Sequence, residues 1–443
     1  MKRATTIMEI PQATEPEPLQ SDELKDFYVP ADHARDSMLS STNVLRRMLR
    51  QTEAPLKLLF ASHPGAGKST ELNRLKAEES EDFLFVSFSI DEKLDRYNIT
   101  YIDLILTTME TLYEISRKEK LIRDKRVIEP VRNWLQEVVV ESKLARREDL
   151  EIEAGVGLDG LLAQIVGLQA KLRSAFSLSH ESAQTVRREL RPRIARLRGY
   201  CNLVIAEITD RLAKQNRRLV IVVEDTDKLD VAVAREMFVE HTGILADLSA
   251  SVIYTVPLFL IHSPDRKRLE SRFDKLVLPM IKTHTPQGQR VTEGWETLRE
   301  IVVRRLDVDS LIDDEALDLA IEKTGGIVRD LLNVIRDASN IAYDQKVARI
   351  SIQTIRYTLD QLKADYRTSV YGESGTETST KRLYERMVEI AQATNKQVPV
   401  DEALILLLHT QAVVEYNGRG WYDLHPLMRE ALYEMGYLDG LAS

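Results

Sequence analysis

The sequence predicts an α/β protein in which a parallel sheet is followed by two smaller, mainly helical units. Short apolar runs rich in β-branched residues alternate with segments of helical spacing, which is typical of a parallel sheet covered on both faces. A glycine-rich turn stands between the first of these runs and a helix. After residue 290 the apolar spacing is helical almost throughout, so little of the sheet can lie there.

Five segments are predicted as strands of this sheet: 56–60, 83–88, 219–223, 251–256 and 276–279. About 130 residues separate the second strand from the third, far more than one crossover helix needs. We therefore expect an insertion at about 93–215, helical except for a glycine-containing stretch at 151–174. That stretch fits a hairpin, a loop that meets a partner, or a segment buried against neighbouring helices.

Composition sets the domain boundaries. Residues 1–22 contain three prolines and no apolar period, so they are predicted to form a flexible tail, ahead of an α/β core over 23–290. A helical subdomain is expected at 291–366 and a Gly/Ser/Thr-rich linker at 367–380. The last unit, 381–443, is predicted to contain helices and a hairpin around the Asn417-Gly418 pair.

Charge and cysteine content exclude several classes of protein. The 443 residues carry 61 Lys+Arg and 70 Asp+Glu, a net charge of −9 that gives no overall attraction to nucleic acid or anionic lipid. Cys201 is the single cysteine, which excludes an intrachain disulfide and a thiolate metal cluster. No apolar stretch reaches the ~18 residues of a membrane span. We expect a cytoplasmic protein without membrane contact.

The clearest functional signal is a phosphate-binding loop between the first strand and a helix. Its glycines allow backbone N–H groups to surround an oxyanion at the helix N-terminus. Lys68 is expected to reach the β and γ phosphates and Ser69 to join the shell of a Mg²⁺ ion. The loop begins with serine where glycine is usual, and it consists of Ser62, His63, Pro64, Gly65, Ala66, Gly67, Lys68, Ser69 and Thr70.

Two acids follow the third strand. In a sheet with such a loop, an acid at the end of a neighbouring strand holds magnesium, and an adjacent acid orients the attacking water. By position Glu224 is the magnesium acid and Asp225 the base. The order Glu-Asp leaves the register open by one residue, so Asp225 is also a candidate magnesium ligand.

These two motifs, Gly65 to Leu72 and Val223 to Leu229, resemble those of AAA+ and STAND P-loop ATPases, in particular the origin-recognition-like and bacterial stand-alone branch. The resemblance covers about residues 27–365. It implies a parallel P-loop sheet, a helical lid at 291–366, bound ATP and Mg²⁺, and hydrolysis by in-line attack of water.

The resemblance also implies roles for residues outside the two motifs. Thr255 would orient the water, although threonine is equally at home in a strand, and Arg329 in the lid would touch the γ phosphate. Arg272 would reach a neighbouring subunit's nucleotide in a homo-oligomer, or else lie on a charged helix face. Tyr28 and Val29 would line the adenine.

Two further segments bear on partners. A predicted amphipathic helix carries a basic patch that is a candidate contact for nucleic acid or for an acidic protein. The patch consists of Arg187, Arg188, Arg191, Arg193, Arg196 and Arg198. Residues 381–443 resemble a winged helix, but their six basic and nine acidic residues argue against DNA and for a protein-binding or autoinhibitory role.

The function predicted from these patterns is an ATP-driven molecular switch that oligomerises or changes conformation to control a separate effector or regulatory protein. The resemblance suggests bacterial defence, signalling or mobile-element control as the setting. A DNA-engaging loader or initiator is the first alternative. A scaffold that binds ATP with negligible turnover is the second.

Overall fold

The computed structural model describes residues 1–35, 40–146, 157–178, 180–372 and 378–439. The strands are β1 Lys57–Ser62, β2 Phe83–Ser89, β3 Arg218–Glu224, β4 Ser251–Pro257, β5 Asp274–Val277, β6 Val413–Glu415 and β7 Tyr422–Leu424. The helices that precede β3 are α1 Ile10–Ala13, α2 Ser21–Phe27, α3 Ser41–Gln51, α4 Lys68–Glu78, α5 Ile90–Lys93, α6 Tyr101–Glu119, α7 Lys125–Glu141, α8 Leu158–Leu178, α9 His180–Leu190 and α10 Ile194–Ala213.

The helices that follow β3 are α11 Val231–Arg235, α12 Thr242–Ala246, α13 Leu258–His262, α14 Arg266–Glu270, α15 Thr292–Arg305, α16 Val308–Leu311, α17 Asp314–Lys323, α18 Val328–Asp344, α19 Ile352–Ser369, α20 Thr380–Gln392, α21 Glu402–His409 and α22 Pro426–Glu434. Among the described helices, none is both long and apolar enough to cross a membrane.

The five-stranded sheet confirms the predicted fold class. Its order is β2-β3-β4-β1-β5 and every pairing is parallel. Strand β1 lies between β4 and β5, with Phe60 level with Thr255 and Leu276. The carboxyl ends of β1, β3 and β4 therefore meet at one edge, which is where α/β sheets bind ligands.

Alternate residues of the strands face two different layers of helix. Leu58, Phe60 and Val222 pack with helices α3 and α4 on one face. Leu59 and Val223 pack on the other face, within the larger cluster that continues into the insertion. Burial on both faces explains why the strands are apolar without alternation.

The described residues of the insertion after β2 are mainly helical, whereas a hairpin or a loop was among the forms expected for 151–174. Helix α8 runs through Gly160 and Gly167, and it packs against α6 and α7. Its buried residues recur at helical spacing, and burial of this face offsets the cost of about 1 kcal/mol that each glycine imposes on a helix. They are Leu161, Leu162, Ile165, Leu168, Leu172 and Ala175. Gly155 lies outside the described residues.

The N-terminal segment is packed, in contrast to the flexible tail that its composition predicts. Ala4 forms a parallel bridge with Leu306, and Ile7 and Ile10 are buried in the same apolar cluster as the helical subdomain over 291–366. The burying partners lie some 300 residues away along the chain. Local composition cannot detect such partners, which is why the prediction differs from the structure.

The helical subdomain, α15 to α19, and the C-terminal unit, α20 to α22 with the β6-β7 hairpin, share one apolar cluster. We call the subdomain the lid. The hairpin is present as predicted, but its turn is wider than an Asn-Gly pair. Asn417 accepts hydrogen bonds from the backbone of Arg419 and Trp421, and the buried Glu415 carboxylate accepts from Gly418 and Gly420. Residues 373–377 of the predicted linker lie outside the described residues.

Candidate functional site

The loop between β1 and α4 curls over the N-terminus of α4. Gly65 and Gly67 have φ angles of 81° and 99°, in the left-handed region that glycine adopts without strain. Gly67 directly precedes α4, so the first N–H groups of an 11-residue helix face the mouth of the loop. This is the anion-binding geometry that the sequence predicted.

Lys68 lies at the base of the loop in a buried ion pair. Its Nζ is 2.8 Å from Asp227 Oδ2 and 2.9 Å from Ser62 Oγ, and the Lys68 and Asp227 side chains are 5% and 8% exposed. Burial alone would raise the pKa of the Asp227 carboxyl, but the charge and hydrogen bond of Lys68 outweigh burial and hold this pKa below its usual value. The Lys68 Nζ is therefore already paired with a carboxylate before an anion arrives.

Asp227 was not among the predicted site residues. Besides Lys68, its carboxylate has a hydrogen bond to the side chain of Thr255, which is fully buried at the end of β4. The Thr255 hydroxyl also contacts the Val223 carbonyl at 3.4 Å. Thr255 therefore contacts Asp227, the acid that pairs with Lys68. The sequence signal was a third acid three residues after Glu224.

The two acids that the sequence singled out are placed differently from each other. Glu224 pairs with Lys76 of helix α4 at 2.5 Å and does not line the cleft around the loop. Asp225 lines the cleft, accepts a hydrogen bond from Ser89 and pairs with Lys228 at 2.8 Å. The structure therefore does not bring Glu224 to the position that a magnesium acid requires.

The lid closes one side of the cleft. The backbone N–H of Arg329 donates to the Gly65 carbonyl at 3.3 Å, and the Arg329 side chain lines the cleft. A Cβ on Gly65 would lie 2.7 Å from the Arg329 Cβ, so the close approach of lid and loop requires glycine here. The structure brings Arg329 to the loop. The γ-phosphate contact that the family resemblance implies for it stays a prediction.

The C-terminal unit holds the loop from the other side. The backbone N–H of Glu415 donates to His63 Nε2 at 2.8 Å, and Gln411 donates to the Pro64 carbonyl at 2.9 Å. Ala66 packs in a small apolar cluster with Tyr416 and Trp421 of the hairpin. Burial, followed by the charge of nearby basic groups, lowers the pKa of His63 to about 3. His63 is therefore neutral and accepts through Nε2.

The N-terminal segment forms a third wall. Pro16, Glu17 and Pro18 line the cleft, and the backbone N–H of Leu19 donates to Thr70 Oγ1 at 3.3 Å. The lid adds Leu332 and Arg305 to the same cleft.

The predicted adenine contacts are not part of that wall. Tyr28 Oη donates to Glu71 at 2.9 Å and accepts from Arg74 at 2.7 Å, so the ring lies along α4. Val29 packs on the lid cluster. Neither Tyr28 nor Val29 lines the cleft, because these hydrogen bonds and this packing direct both side chains elsewhere.

The arginines predicted to contact a neighbouring subunit or nucleic acid have different surroundings in the structure. Arg272 is 56% exposed and contacts Asp247 at 3.3 Å, outside the cleft lining. Arg187 is buried against Asp103 at 2.6 Å, which removes it from the predicted nucleic-acid surface. Arg193 and Arg198 pair with Glu141 and Asp247. The three others, Arg188, Arg191 and Arg196, are exposed.

The oxygen donors in the cleft fit a magnesium ion. Ser69, Asp225 and Asp227 line the same cleft. Magnesium is bound by one or two carboxylates together with substrate phosphates and water, rather than by a cage of protein ligands. The described residues hold no cluster of three or more His, Cys, Asp or Glu suited to a metal. The residues fit Mg²⁺ that arrives with a nucleotide.

No protein-family model and no curated protein matches the chain. Solved structures of similar fold include Aeropyrum pernix Orc1 in complex with DNA, at 16% identity, covering 96% of this chain and 97% of that chain with a TM-score of 0.38. The Thermotoga maritima RuvB Holliday junction branch migration motor matches at 13% identity, with coverage of 97% and 100% and a TM-score of 0.38. Aeropyrum pernix Orc2 matches at 12%, with coverage of 96% and 99% and a TM-score of 0.36.

These structural neighbours are AAA+ P-loop ATPases at low sequence identity. The likeness is distant, and the chemistry of the cleft follows from the residues of this chain. Its parallel sheet and its glycine loop at a helix N-terminus are those of a P-loop α/β protein.

Proposed function

We propose that the protein binds and hydrolyses ATP with Mg²⁺ and uses the nucleotide to switch the position of its C-terminal unit. The observation that supports this proposal is that the phosphate-binding loop is held from both sides. The lid bonds to Gly65 and the hairpin bonds to His63. Phosphates entering the loop must therefore affect both contacts.

The hydrolysis step follows from the residues of the cleft. An incoming phosphate draws the Lys68 ammonium toward itself, and this frees the Asp227 carboxylate to hold Mg²⁺ with Ser69. Asp227 thus takes the magnesium role that was predicted for Glu224. Asp225 orients a water molecule and accepts the proton that this water loses as its oxygen attacks the γ phosphorus. The bond from this phosphorus to the β–γ bridging oxygen breaks, and Arg329 offsets the charge on the γ phosphate.

The switch uses the difference in binding energy between ATP and ADP. A ligand shifts a conformational equilibrium only by its differential affinity for the two states. The γ phosphate contacts Lys68 and Arg329, so ATP and ADP differ in how strongly they hold the lid. Because lid and C-terminal unit share one apolar cluster, lid movement is transmitted to the hairpin. A separate effector protein, in a defence or signalling setting, would read that movement.

Hydrogen exchange of the hairpin amides tests this proposal. We expect ATP with Mg²⁺ to raise exchange over residues 411–424 by about tenfold or more, since opening of the contact to His63 exposes these amides. ADP should have a smaller effect. Steady-state hydrolysis is measured in the same samples.

Lys68→Ala is the control, because it removes the phosphate contact and should abolish both the exchange response and hydrolysis. Bound ATP with unchanged exchange would contradict the switch. If the protein binds ATP but hydrolyses it no faster than Lys68→Ala does, the protein is a scaffold that binds ATP with negligible turnover.

A second candidate function is supported by a specific surface. Arg188, Arg191 and Arg196 are exposed between the end of α9 and the start of α10, and no ion pair joins them to the described residues. A group of exposed cations without ion pairs is typical of a surface that binds the phosphate backbone of nucleic acid. An ATPase that engages DNA through the insertion would use these three residues.

DNA-stimulated hydrolysis separates the two functions. If DNA is engaged here, replacing the three arginines by alanine should remove the stimulation and lower the slope of log affinity against log salt by about 3. Alanine at Arg117, Lys118 and Lys120, three exposed basic residues of the same insertion, is the matched control. Absence of stimulation in the unaltered protein would exclude this candidate.

A further inference from the structure

Arg305 is a buried cation in the wall of the cleft. It is the last residue of α15, its exposed fraction is 5%, and it lines the same cavity as Lys68 and Arg329. Its Nη1 donates to the Ile301 carbonyl at 2.9 Å. Its Nε is buried and has no hydrogen-bond partner within the described part of the chain. Among the described residues, this cation thus has the Ile301 carbonyl as its hydrogen-bond acceptor and an unpaired Nε.

Among the described residues, no ion pair balances this guanidinium. The group has five N–H donors, and burial of a charge without a partner is costly. Burial lowers the pKa of Arg305 to about 10, opposed only by the more distant charge of Glu23. At neutral pH the side chain is still charged. The C-terminal end of α15 favours a cation through the helix dipole but provides a single carbonyl.

Arg304, the preceding residue of α15, differs from Arg305 because its guanidinium has an ion-pair partner. Arg304 is half-buried, pairs with Glu300 at 2.8 Å and donates to the Tyr28 carbonyl at 3.0 Å. Arg305 points into the cavity instead, and its backbone is fixed there. The backbone N–H of Ala4 donates to the Arg305 carbonyl at 2.8 Å, as part of the bridge made by the N-terminal segment.

We propose that Arg305 is a ligand for the polyphosphate of the bound nucleotide, acting beside Lys68 and Arg329. The inference rests on the proposed function, since it assigns a further contact within the same nucleotide site. A guanidinium presents its donors in a planar fork that matches phosphate oxygens, and such charge-assisted hydrogen bonds are stronger than neutral ones. The bound nucleotide supplies the acceptors that the protein lacks at Arg305.

Calorimetric titration with ATP and with inorganic tripolyphosphate tests this assignment. Tripolyphosphate carries the phosphates without base or ribose. In Arg305→Met we expect the affinity for both ligands to fall by the same factor, about 10-fold to 100-fold. In Arg305→Lys, which retains the charge but loses the fork, we expect a smaller loss for both. Arg304→Met is the matched control and should keep both affinities within about twofold.

Several outcomes would overturn the assignment. Unchanged tripolyphosphate affinity in both Arg305 variants would overturn it, as would a loss confined to ATP, which would indicate a contact to base or ribose. If Arg305→Met does not fold, Arg305→Lys decides by the same comparison. Failure of the unaltered protein to bind ATP would instead reject the proposed function. Binding lost in Lys68→Ala but retained in the Arg305 variants would reject this inference alone.

Discussion

Replacing Asp227 by asparagine is expected to tighten ATP binding by about tenfold or more while lowering hydrolysis by at least about 100-fold. In the nucleotide-free protein the Lys68 ammonium is held by the buried Asp227 carboxylate at 2.8 Å. Removing one partner of a buried pair leaves the other uncompensated, at a cost of about 3–5 kcal/mol. A phosphate that binds Lys68 relieves part of that cost, so affinity rises. Hydrolysis falls because asparagine at this position has no carboxylate with which to hold Mg²⁺ in the cleft.

Glu224→Gln and Asp225→Asn are the controls for this prediction. Glu224 pairs with Lys76 outside the cleft, so its substitution should alter hydrolysis by less than about fivefold. Asp225→Asn should slow hydrolysis without tightening ATP binding, because Asp225 does not contact Lys68. ATP affinity from calorimetry and hydrolysis under saturating ATP measure the two effects. Equal behaviour of Asp227→Asn and Asp225→Asn would refute a separate role for Asp227.

Mild acid is expected to destabilise the protein between pH 6 and pH 5. Burial lowers the pKa of His63 and His425 to about 3 and that of His262 to about 4. Below pH 6.5 the unfolded chain takes up protons that these histidines cannot accept when folded, at about 1.4 kcal/mol per pH unit each. Burial raises the pKa of Asp330 to about 6, so this carboxyl acts in the opposite direction and cancels about one histidine.

The three histidines all lie where the C-terminal unit meets the rest of the protein. His63 accepts from Glu415, the His262 ring is 6.0 Å from that of Tyr422, and the His425 ring stacks on Tyr366 at 4.2 Å. We therefore expect acid to loosen the C-terminal unit first. Urea unfolding between pH 7.5 and pH 5 measures the effect.

Variants assign the pH dependence to these residues. Glutamine at His63, His262 or His425 should each make the free energy of unfolding less dependent on pH. His180→Gln, at an exposed histidine, should leave the dependence unchanged. A stability that is constant from pH 7 to pH 5 in the unaltered protein would contradict the burial argument.

The sheet and the phosphate-binding loop were predictable from the sequence because their signals are local. Apolar runs of strand length and glycines followed by Lys68 and Ser69 require no knowledge of distant residues. The acid next to Lys68 was not predictable in the same way. Asp225 adopts a left-handed conformation with φ of 67°, which is uncommon for a residue other than glycine. This turn after β3 brings Asp227 to Lys68, and residue order alone does not reveal it.

Long-range packing accounts for the other differences. The N-terminal segment has a composition typical of a flexible tail, and only the lid helices explain its burial. The same holds for α8, whose glycines suggest a loop until α6 and α7 are placed beside it. Arg305 was no clearer, since its unpaired Nε appears only in three dimensions. The sequence placed His63 in the loop, but the hydrogen bond that its Nε2 accepts from Glu415 joins residues far apart in the chain.

The bridge between Ala4 and Leu306 affects the order in which the chain can fold during its synthesis. At roughly 5–20 residues per second, a ribosome needs about 15–60 s to make the intervening chain. Throughout that time Ile7 and Ile10 have no lid to bury them. The sheet can form earlier, but the N-terminal wall of the cleft and the backbone anchor of Arg305 close only after the lid has emerged. A nascent chain therefore completes its ligand cleft late, after its sheet is in place.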